Sequence, residues 1–566
     1  MINSNSQPIN LVFLWHMHQP DYRNHTNGEI IMPWVLLHCL KDYTDMAYHL
    51  EENPNIKAVI NFVPVLCEQI EDFQNQLQTK EFRLPLLKFL SRQSFTDLNL
   101  DEKQYLVDNC FTCNQQNMIK PFPAYFRLWE ISQQLIFQND LDYLSEEYFS
   151  DILTWYFLAW LGESIRKTNP LFQEFVDKSA KGEHYDYQNR CQLLLLITEI
   201  INNLMPRYRD LQNKGQIEIS FTPKDHPISP LLIDFASAQE SLENAQLPPK
   251  KYPDGITRVN SHIDEGIAIY KKHFNQSPNG LWPAEGAISE EFINIISTKP
   301  IKWIASGGGV LMNSLAKSQI NPDELQFNPI YSSWQFDEKK TPVIFFRDEK
   351  LSDLIGFEYA KWNSKDAAND LVKKIEVLAK PENSNPAKTV SIMLDGENAW
   401  EYYPYNGYYF FETLYKKLGD NPKINLTTFS TLLEEGLHDI NKLANICAGS
   451  WVYGNLSTWI GDQAKNRAWE LLVGAKIAFD EKIDNLSENE AEQANFQLSI
   501  CESSDWFWWF GDYNPSLSVT SFDNLFRQNL KLLYKLIKIT PPEELNIPIS
   551  AGNTESDAVG TMRTAT

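Results

Sequence analysis

The sequence predicts an α/β protein: a parallel sheet of barrel type, interrupted by a long helical insertion and followed by a C-terminal helical domain. Three observations carry this. Short apolar runs that end abruptly in polar residues recur at wide spacing, as buried parallel strands do. Helical patterns lie between them, the alternation that makes a parallel sheet. The chain has 566 residues, more than one hydrophobic core usually serves, so a second domain is expected beside the barrel.

In order, residues 11–15 (LVFLW) form the first strand, which turns polar at His16. Further strands are expected at 56–63, 217–221, 303–305, 343–346 and 390–394, with helices such as 36–50 and 191–203 between them. The stretch from about 85 to 210 is helix-rich and too long for one crossover, so it reads as an insertion. Helical patterns return at 464–480 and 521–539, and 551–566 is small, polar and unpatterned, the mark of a disordered tail.

Composition narrows the function. The chain is 43% hydrophobic and 22% charged, ordinary for a soluble globular protein. With 74 acidic against 50 basic residues, its formal charge is −24. A surface this negative repels nucleic acid and anionic membranes, so neither is expected as a partner, and it suits a neutral substrate. No run approaches the ~20 apolar residues of a membrane helix. The start, MINSNSQPIN, has neither a basic opening nor an apolar run, so no secretory signal is expected and the cytoplasm is the simplest location. Seven cysteines include a Cys-X-X-Cys at Cys110 and Cys113 but no second such pair for structural zinc. Free thiols in a reducing compartment are expected. Aromatic residues reach 13%; Trp and Tyr offer sugar rings a flat apolar face with a polar edge, and they also fill cores.

Five clusters are dense in residues that a plain core avoids. His16-Met17-His18-Gln19-Pro20 follows the first strand. Alternate strand residues share a face, so His16 and His18 can point into one site. That site can bind sugar hydroxyls, hold a metal through a His-X-His pair, or be a structural hydrogen-bonded pair. The second cluster, 215–220 (GQIEIS) with His226-Pro227, places Glu218 inside an apolar strand, where an unpaired carboxylate is costly. Glu218 therefore faces the barrel interior or its mouth, or belongs to a structural ion pair. The third, 280–286 (GLWPAEG), holds Trp282 and Glu285. The fourth, 393–401 (MLDGENAWE), stops an apolar run at Asp395 and continues to Trp400. Two strand-end carboxylates are what a glycosidase needs. The fifth, 449–469 (GSWVYGNLSTWIGDQAKNRAW), sets Trp451, Trp459, Asn455 and Asp462 before a helix, as a sugar-contacting loop would; the Trp residues can equally glue helices to the barrel. Asp505-Trp506-Phe507-Trp508-Trp509 is a late aromatic knot that also suits domain packing.

These clusters, in this order, resemble glycoside hydrolase family 57, most closely its α-amylase and amylopullulanase branch. The residues that carry it are HMHQP, GQIEIS with HPISPLL, GLWPAEGAIS, MLDGENAWEYY and GSWVYGNLSTWIGDQAKNRAWELL, over about residues 10–540. The resemblance implies an incomplete (β/α)7, TIM-like barrel over residues 8–435, including the insertion. A helical domain over 436–545 would complete the cleft, and 546–566 would be a disordered tail. It also implies a retaining enzyme acting on α-1,4 and potentially α-1,6 linkages of α-glucans, with Glu285 as nucleophile and Asp395 as general acid/base. Retention calls for carboxyl groups about 5–5.5 Å apart. Asp395 must start protonated, through apolar surroundings or negative neighbours such as Glu397. Substrate contacts are expected from His16, His18, Gln19, Glu218, His226, Trp282, Trp400, Trp451, Trp459, Asp462 and Asp505, with no metal and no organic cofactor. The chain departs from the family pattern after Trp303, where Ala305–Gly308 replace an acidic pair, at Glu349, where the pattern has His, and at Cys501 and Ser503, where it has smaller residues. Two other readings stay open. A 4-α-glucanotransferase or branching enzyme would use the same site, and a metal-dependent polysaccharide deacetylase or α-mannosidase would need an ion.

Overall fold

The computed structural model describes residues 8–552 apart from 136–137, 337–340, 379–387, 437–439 and 512. Its strands are β1 (Ile9–Met17), β2 (Ala58–Phe62), β3 (Ile217–Phe221), β4 (Gly280–Leu281), β5 (Trp303–Ser306), β6 (Ser333–Phe336), β7 (Val343–Phe346), β8 (Thr389–Asp395), β9 (Ile424–Leu426) and β10 (Ile440–Leu443). They form one sheet in the order β10-β6-β7-β5-β4-β3-β2-β1-β8, with β9 beside the start of β1. Among the described residues, seven strands run parallel in succession: β8, β1, β2, β3, β4, β5 and β7. β6 joins β7 antiparallel, and among the described residues the ends β8 and β10 do not pair, so this is an incomplete barrel. The six strands expected from apolar runs are all present. β4, β6, β9 and β10 have two to four residues each, too few to leave a period in the sequence.

Strands covered on both faces need apolar side chains on both. All nine residues of β1 are buried. Leu11, Phe13 and Trp15 pack outward against the helices, while Val12 and Leu14 point into the curl and meet Val59, Trp303, Val343, Phe345 and Met393. Helix Phe429–Glu435 stoppers the end where the strands begin, with the Phe429 ring 4.3 Å from that of Phe345 and 4.6 Å from that of Trp303. The opposite end stays open and carries the polar residues.

Helices from Pro85–Ser91 to Tyr187–Asn213 make up the insertion. Helices Gln463–Lys482, Glu488–Cys501, Ser504–Trp509 and Ser516–Leu536 make up the C-terminal region. No described helix is long and apolar enough to cross a membrane. Glu502 ties this region to the barrel. Fully buried, it accepts hydrogen bonds from Arg258 Nε and Nη2, both at 2.8 Å, from His262 Nε2 at 2.7 Å and from the Tyr252 hydroxyl. The start of the expected tail packs on the same helices: Ile549 N donates to Asp523 Oδ1 at 2.8 Å, and Ser550 Oγ accepts from Gly511 N at 3.3 Å. Local composition did not reveal this anchorage; residues 553–566 of that tail lie outside the described residues.

Candidate active site

Sheet register sets Asp395 (β8), His16 (β1), Asn61 (β2) and Ser220 (β3) side by side near the strands' C-terminal ends. Asn61 Nδ2 donates to Ser220 Oγ at 3.1 Å, and Asn61 Oδ1 accepts from Thr222 Oγ1 at 3.1 Å and from His16 Nδ1 at 2.6 Å. Burial, aided by His18, lowers the pKa of His16 to about 3. The ring is therefore neutral with its proton on Nδ1, and Nε2, which has no partner among the described residues, is a lone-pair acceptor.

His18 and His226 complete a wall of three imidazoles. Their centroids lie 5.6 Å (His16–His18), 5.2 Å (His16–His226) and 3.9 Å (His18–His226) apart. Helix Ser504–Trp509 braces the wall: Ser504 Oγ lies 2.8 Å from His226 Nδ1, and Asp505 Oδ1 accepts from His18 Nε2 at 2.9 Å. Asp225 and His226 both have positive φ, 57° and 59°, a strained turn. His262 pins it, pairing with the Lys224 carbonyl through Nδ1 and with Glu502 through Nε2. His18, His226 and Asp505 can each bring a ligand atom within 4.8 Å of the others. Yet the His18 and His226 rings are only 19° from parallel at 3.9 Å. Their lone pairs lie in those ring planes and do not converge on one ion, which makes the cluster a poor metal site.

Glu285 sits on a tight turn with φ 56° and ψ 23°, a left-handed conformation that costs a non-glycine residue about 1–3 kcal/mol. The fifth sequence cluster holds it there. Trp451 N donates to the Glu285 carbonyl at 2.9 Å, Trp451 Nε1 donates to Glu285 Oε2 at 2.8 Å, and Ile288 and Gly449 exchange two backbone hydrogen bonds. Behind Trp451, Arg347 stands 5.5 Å from its ring, with Nε donating to the Met393 carbonyl at 2.8 Å and Nη2 to Asp353 at 2.7 Å.

Asp395 ends β8, and Asn398 Nδ2 donates to its Oδ2 at 2.9 Å. Burial raises its pKa, outweighing Asn398, His18 and Arg347. Glu397 is pushed well above the carboxylate range, first by burial and then by Asp395. Its Oε1 accepts from Gln19 Nε2 at 3.1 Å and from His18 N at 3.2 Å. Burial is thus what favours a protonated Asp395, with no need for a charge on Glu397. Both carboxyl groups line one cleft of about 540 Å³, within the range of small-molecule sites.

The sequence pattern described as glycosyl hydrolase family 57 matches residues 12–442. The chain belongs to this family. No curated protein matches the chain. Among solved structures, it is similar to a GH57 branching enzyme from Thermococcus kodakaraensis at TM-score 0.56 and 15% identity, covering 93% of this chain and 90% of that one. It is also similar to the α-amylase AmyC from Thermotoga maritima at TM-score 0.54 and 14% identity, covering 94% and 93%. The 4-α-glucanotransferase from Thermococcus litoralis resembles it at TM-score 0.50 and 13% identity, covering 94% of this chain and 60% of that one.

In this GH57 chain, the cleft brings together seven of the residues expected to cleave or contact substrate: His16, His18, Gln19, Glu285, Asp395, Trp451 and Asp505. His226 stacks behind them, fully buried. The others lie elsewhere. Trp282 is a buried floor, 5.0 Å edge-on to Trp451. Trp400 is buried beneath the Asp395 loop and donates from Nε1 to the Gly396 carbonyl at 2.8 Å. Trp459 is fully buried 5.9 Å from Trp508, so it presents no face to a sugar. Asp462 is exposed and caps helix Gln463–Lys482, accepting from Ala464 N at 2.8 Å. Glu218 belongs to the stoppered end, where it accepts from Trp303 Nε1 at 2.7 Å and from Ser430 N at 3.0 Å. These placements follow from side-chain direction and from depth along the strand, so only some of a motif's residues reach the cleft. Arg347 was missed, although the strand-end rule applied to FFRDE after β7 would have found it. Glu349, where the pattern has His, accepts from Gly309 N at 2.8 Å.

Proposed function

We propose that this GH57 enzyme is a retaining glycosidase of α-glucans that works through a glycosyl-enzyme, with Glu285 as nucleophile and Asp395 as general acid/base. The observation that carries this is that one cleft pairs a carboxyl whose pKa burial raises with a second carboxyl group held by an indole N–H. Asp395 gives its proton to the glycosidic oxygen as Glu285 Oε attacks the anomeric carbon. The leaving chain departs with that proton. Asp395, now a carboxylate, takes a proton from water, whose oxygen displaces Glu285. His16 Nε2 accepts a sugar hydroxyl, and Trp451 both orients the nucleophile and lines the cleft. The substrate class rests on the branching, amylase and glucanotransferase activities of the similar enzymes. The free cysteines fit a reducing compartment such as the cytoplasm.

Transfer is the second reading, favoured by the aromatic residues Trp34, Phe111, Trp508 and Trp509 in the cleft lining, which suit a sugar acceptor better than water. A metal-dependent deacetylase or α-mannosidase is disfavoured by the stacked histidines. Product analysis with maltooligosaccharides, amylose and pullulan tests all three. Shorter reducing products mean hydrolysis, longer chains mean transfer, and activity lost to a chelator would sink the proposal. So would an inverted anomer in the first products seen by NMR.

A further inference from the structure

The cleft is also lined by Trp34, His38, Asn114, Trp160 and Glu401, and no step of the mechanism uses them. His38 and Asp42 lie one turn apart in a helical stretch that widens over Cys39–Tyr43. His38 Nδ1 lies 2.6 Å from Asp42 Oδ2. Asp42 is fully buried and also pairs with Lys41, whose Nζ donates to Asn406 Oδ1 at 2.9 Å. A carboxylate only accepts, so His38 donates from Nδ1 and its Nε2 is left for the cleft. The His38 ring stands 5.7 Å edge-on to Trp160 and 6.4 Å from Trp34. Trp160 is 1% exposed, and its Nε1 has no partner among the described residues. A half-buried Trp face, a buried indole N–H without an acceptor and a histidine locked in one orientation make a built polar-aromatic site. Such sites bind sugars, whose rings stack on indoles and whose hydroxyls both donate and accept.

We propose that Trp34, His38, Trp160 and Glu401 form a glucan subsite on the leaving-group side of the scissile bond, in which His38 Nε2 binds a sugar hydroxyl. The side follows from chain path. The loop bearing Asp395, which protonates the leaving oxygen, runs directly into Glu401, whereas the Glu285 turn is pinned to a different segment, the loop at Gly449–Trp451. The same subsite receives the acceptor in transfer. The proposal rests on the assignment of Glu285 and Asp395.

The test compares two substrates of the full chain. In α-maltotriosyl fluoride, the leaving group is too small to reach the subsite; in maltoheptaose, the leaving chain fills it. In His38→Ala, the ratio of fluoride-release to maltoheptaose-cleavage kcat/KM should rise about tenfold, the worth of one well-placed hydrogen bond. His38→Gln should restore part of the difference. Glu401→Gln, which leaves the His38–Asp42 pair intact, should shift the ratio the same way and guards against a fold defect in the first variant. An unchanged ratio in both His38→Ala and Glu401→Gln overturns the subsite while leaving the catalytic assignment standing. A wild-type protein that releases no fluoride overturns the catalytic assignment and the subsite with it.

Discussion

The two carboxylates reach the same cleft by different mechanical routes. Asp395 is the last residue of a regular strand, aligned with His16 by sheet register. Its position needs only a hydrophobic run of the right length, and its chemistry needs only burial. Glu285 sits in a left-handed turn that its own residue type disfavours, and it stays there because the loop at 449–451 bonds to its carbonyl and carboxylate. One wall is therefore positioned by local structure, while the other is assembled from segments more than 160 positions apart. A regular element can place one carboxyl group by itself, whereas a carboxyl group on a strained turn depends on tertiary support.

The sharpest way to break this contrast is Glu285→Gln. We expect turnover to fall by several powers of ten while glucan binding survives. A variant keeping a tenth of the wild-type rate would remove Glu285 from the role of nucleophile. Asp395→Asn should cost about 10²–10⁴ in glucan cleavage but much less in forming the glycosyl-enzyme from an activated fluoride, which needs no proton. Equal losses on both substrates would argue against an acid.

Trp459 and Trp451 sharpen the comparison within one motif. Trp459→Ala removes a fully buried ring and should cost about 3–5 kcal/mol of stability, several degrees in Tm, with kcat of the folded enzyme nearly unchanged. Trp451→Phe should do the reverse. Losing the hydrogen bond to the Glu285 carboxylate is worth about 1.5–3 kcal/mol, so kcat should drop about 10- to 100-fold with little change in Tm. Similar profiles for the two variants would erase the distinction.

The smallest effect concerns the joint between the regions. Burial alone would raise the Glu502 carboxyl, but Arg258 and His262 hold its pKa down at about 2, against 4.5 for the unperturbed group. A depressed folded-state pKa gives stability that is complete above the unfolded value and is lost as pH falls toward the folded one. Melting experiments should therefore show a loss of about 1 kcal/mol near pH 4, absent in Glu502→Gln. A wild-type stability flat from pH 5 to 3 would refute the linkage.

Strand ends were the most legible part of the site. Apolar runs that stop at His16 and Asp395 announce both the strand and its functional terminus, because a parallel sheet covered on both faces leaves polar groups nowhere else to go. Glu285 was legible through GLWPAEG, yet the strain that holds it depends on a contact with residues 449–451 that no local pattern contains. Glu218 and Trp459 carry the same kinds of side chain as the cleft residues, and they ended in packing or at the stoppered end.

The sequence by itself determined the alternation of strand and helix, the residues at each strand end and the membership of the motifs, since these depend on periodicity and on what can be buried unpaired. Tertiary structure alone decided which motif residues meet. It stacked His18 on His226 across more than two hundred positions, turned Trp459 inward while Trp451 reached Glu285, and brought His38, Trp160 and Glu401 to one wall. The physical reason is that side-chain direction at a loop or helix end is fixed by long-range packing and hydrogen bonding, whose partners are distant in the chain and invisible to any local period.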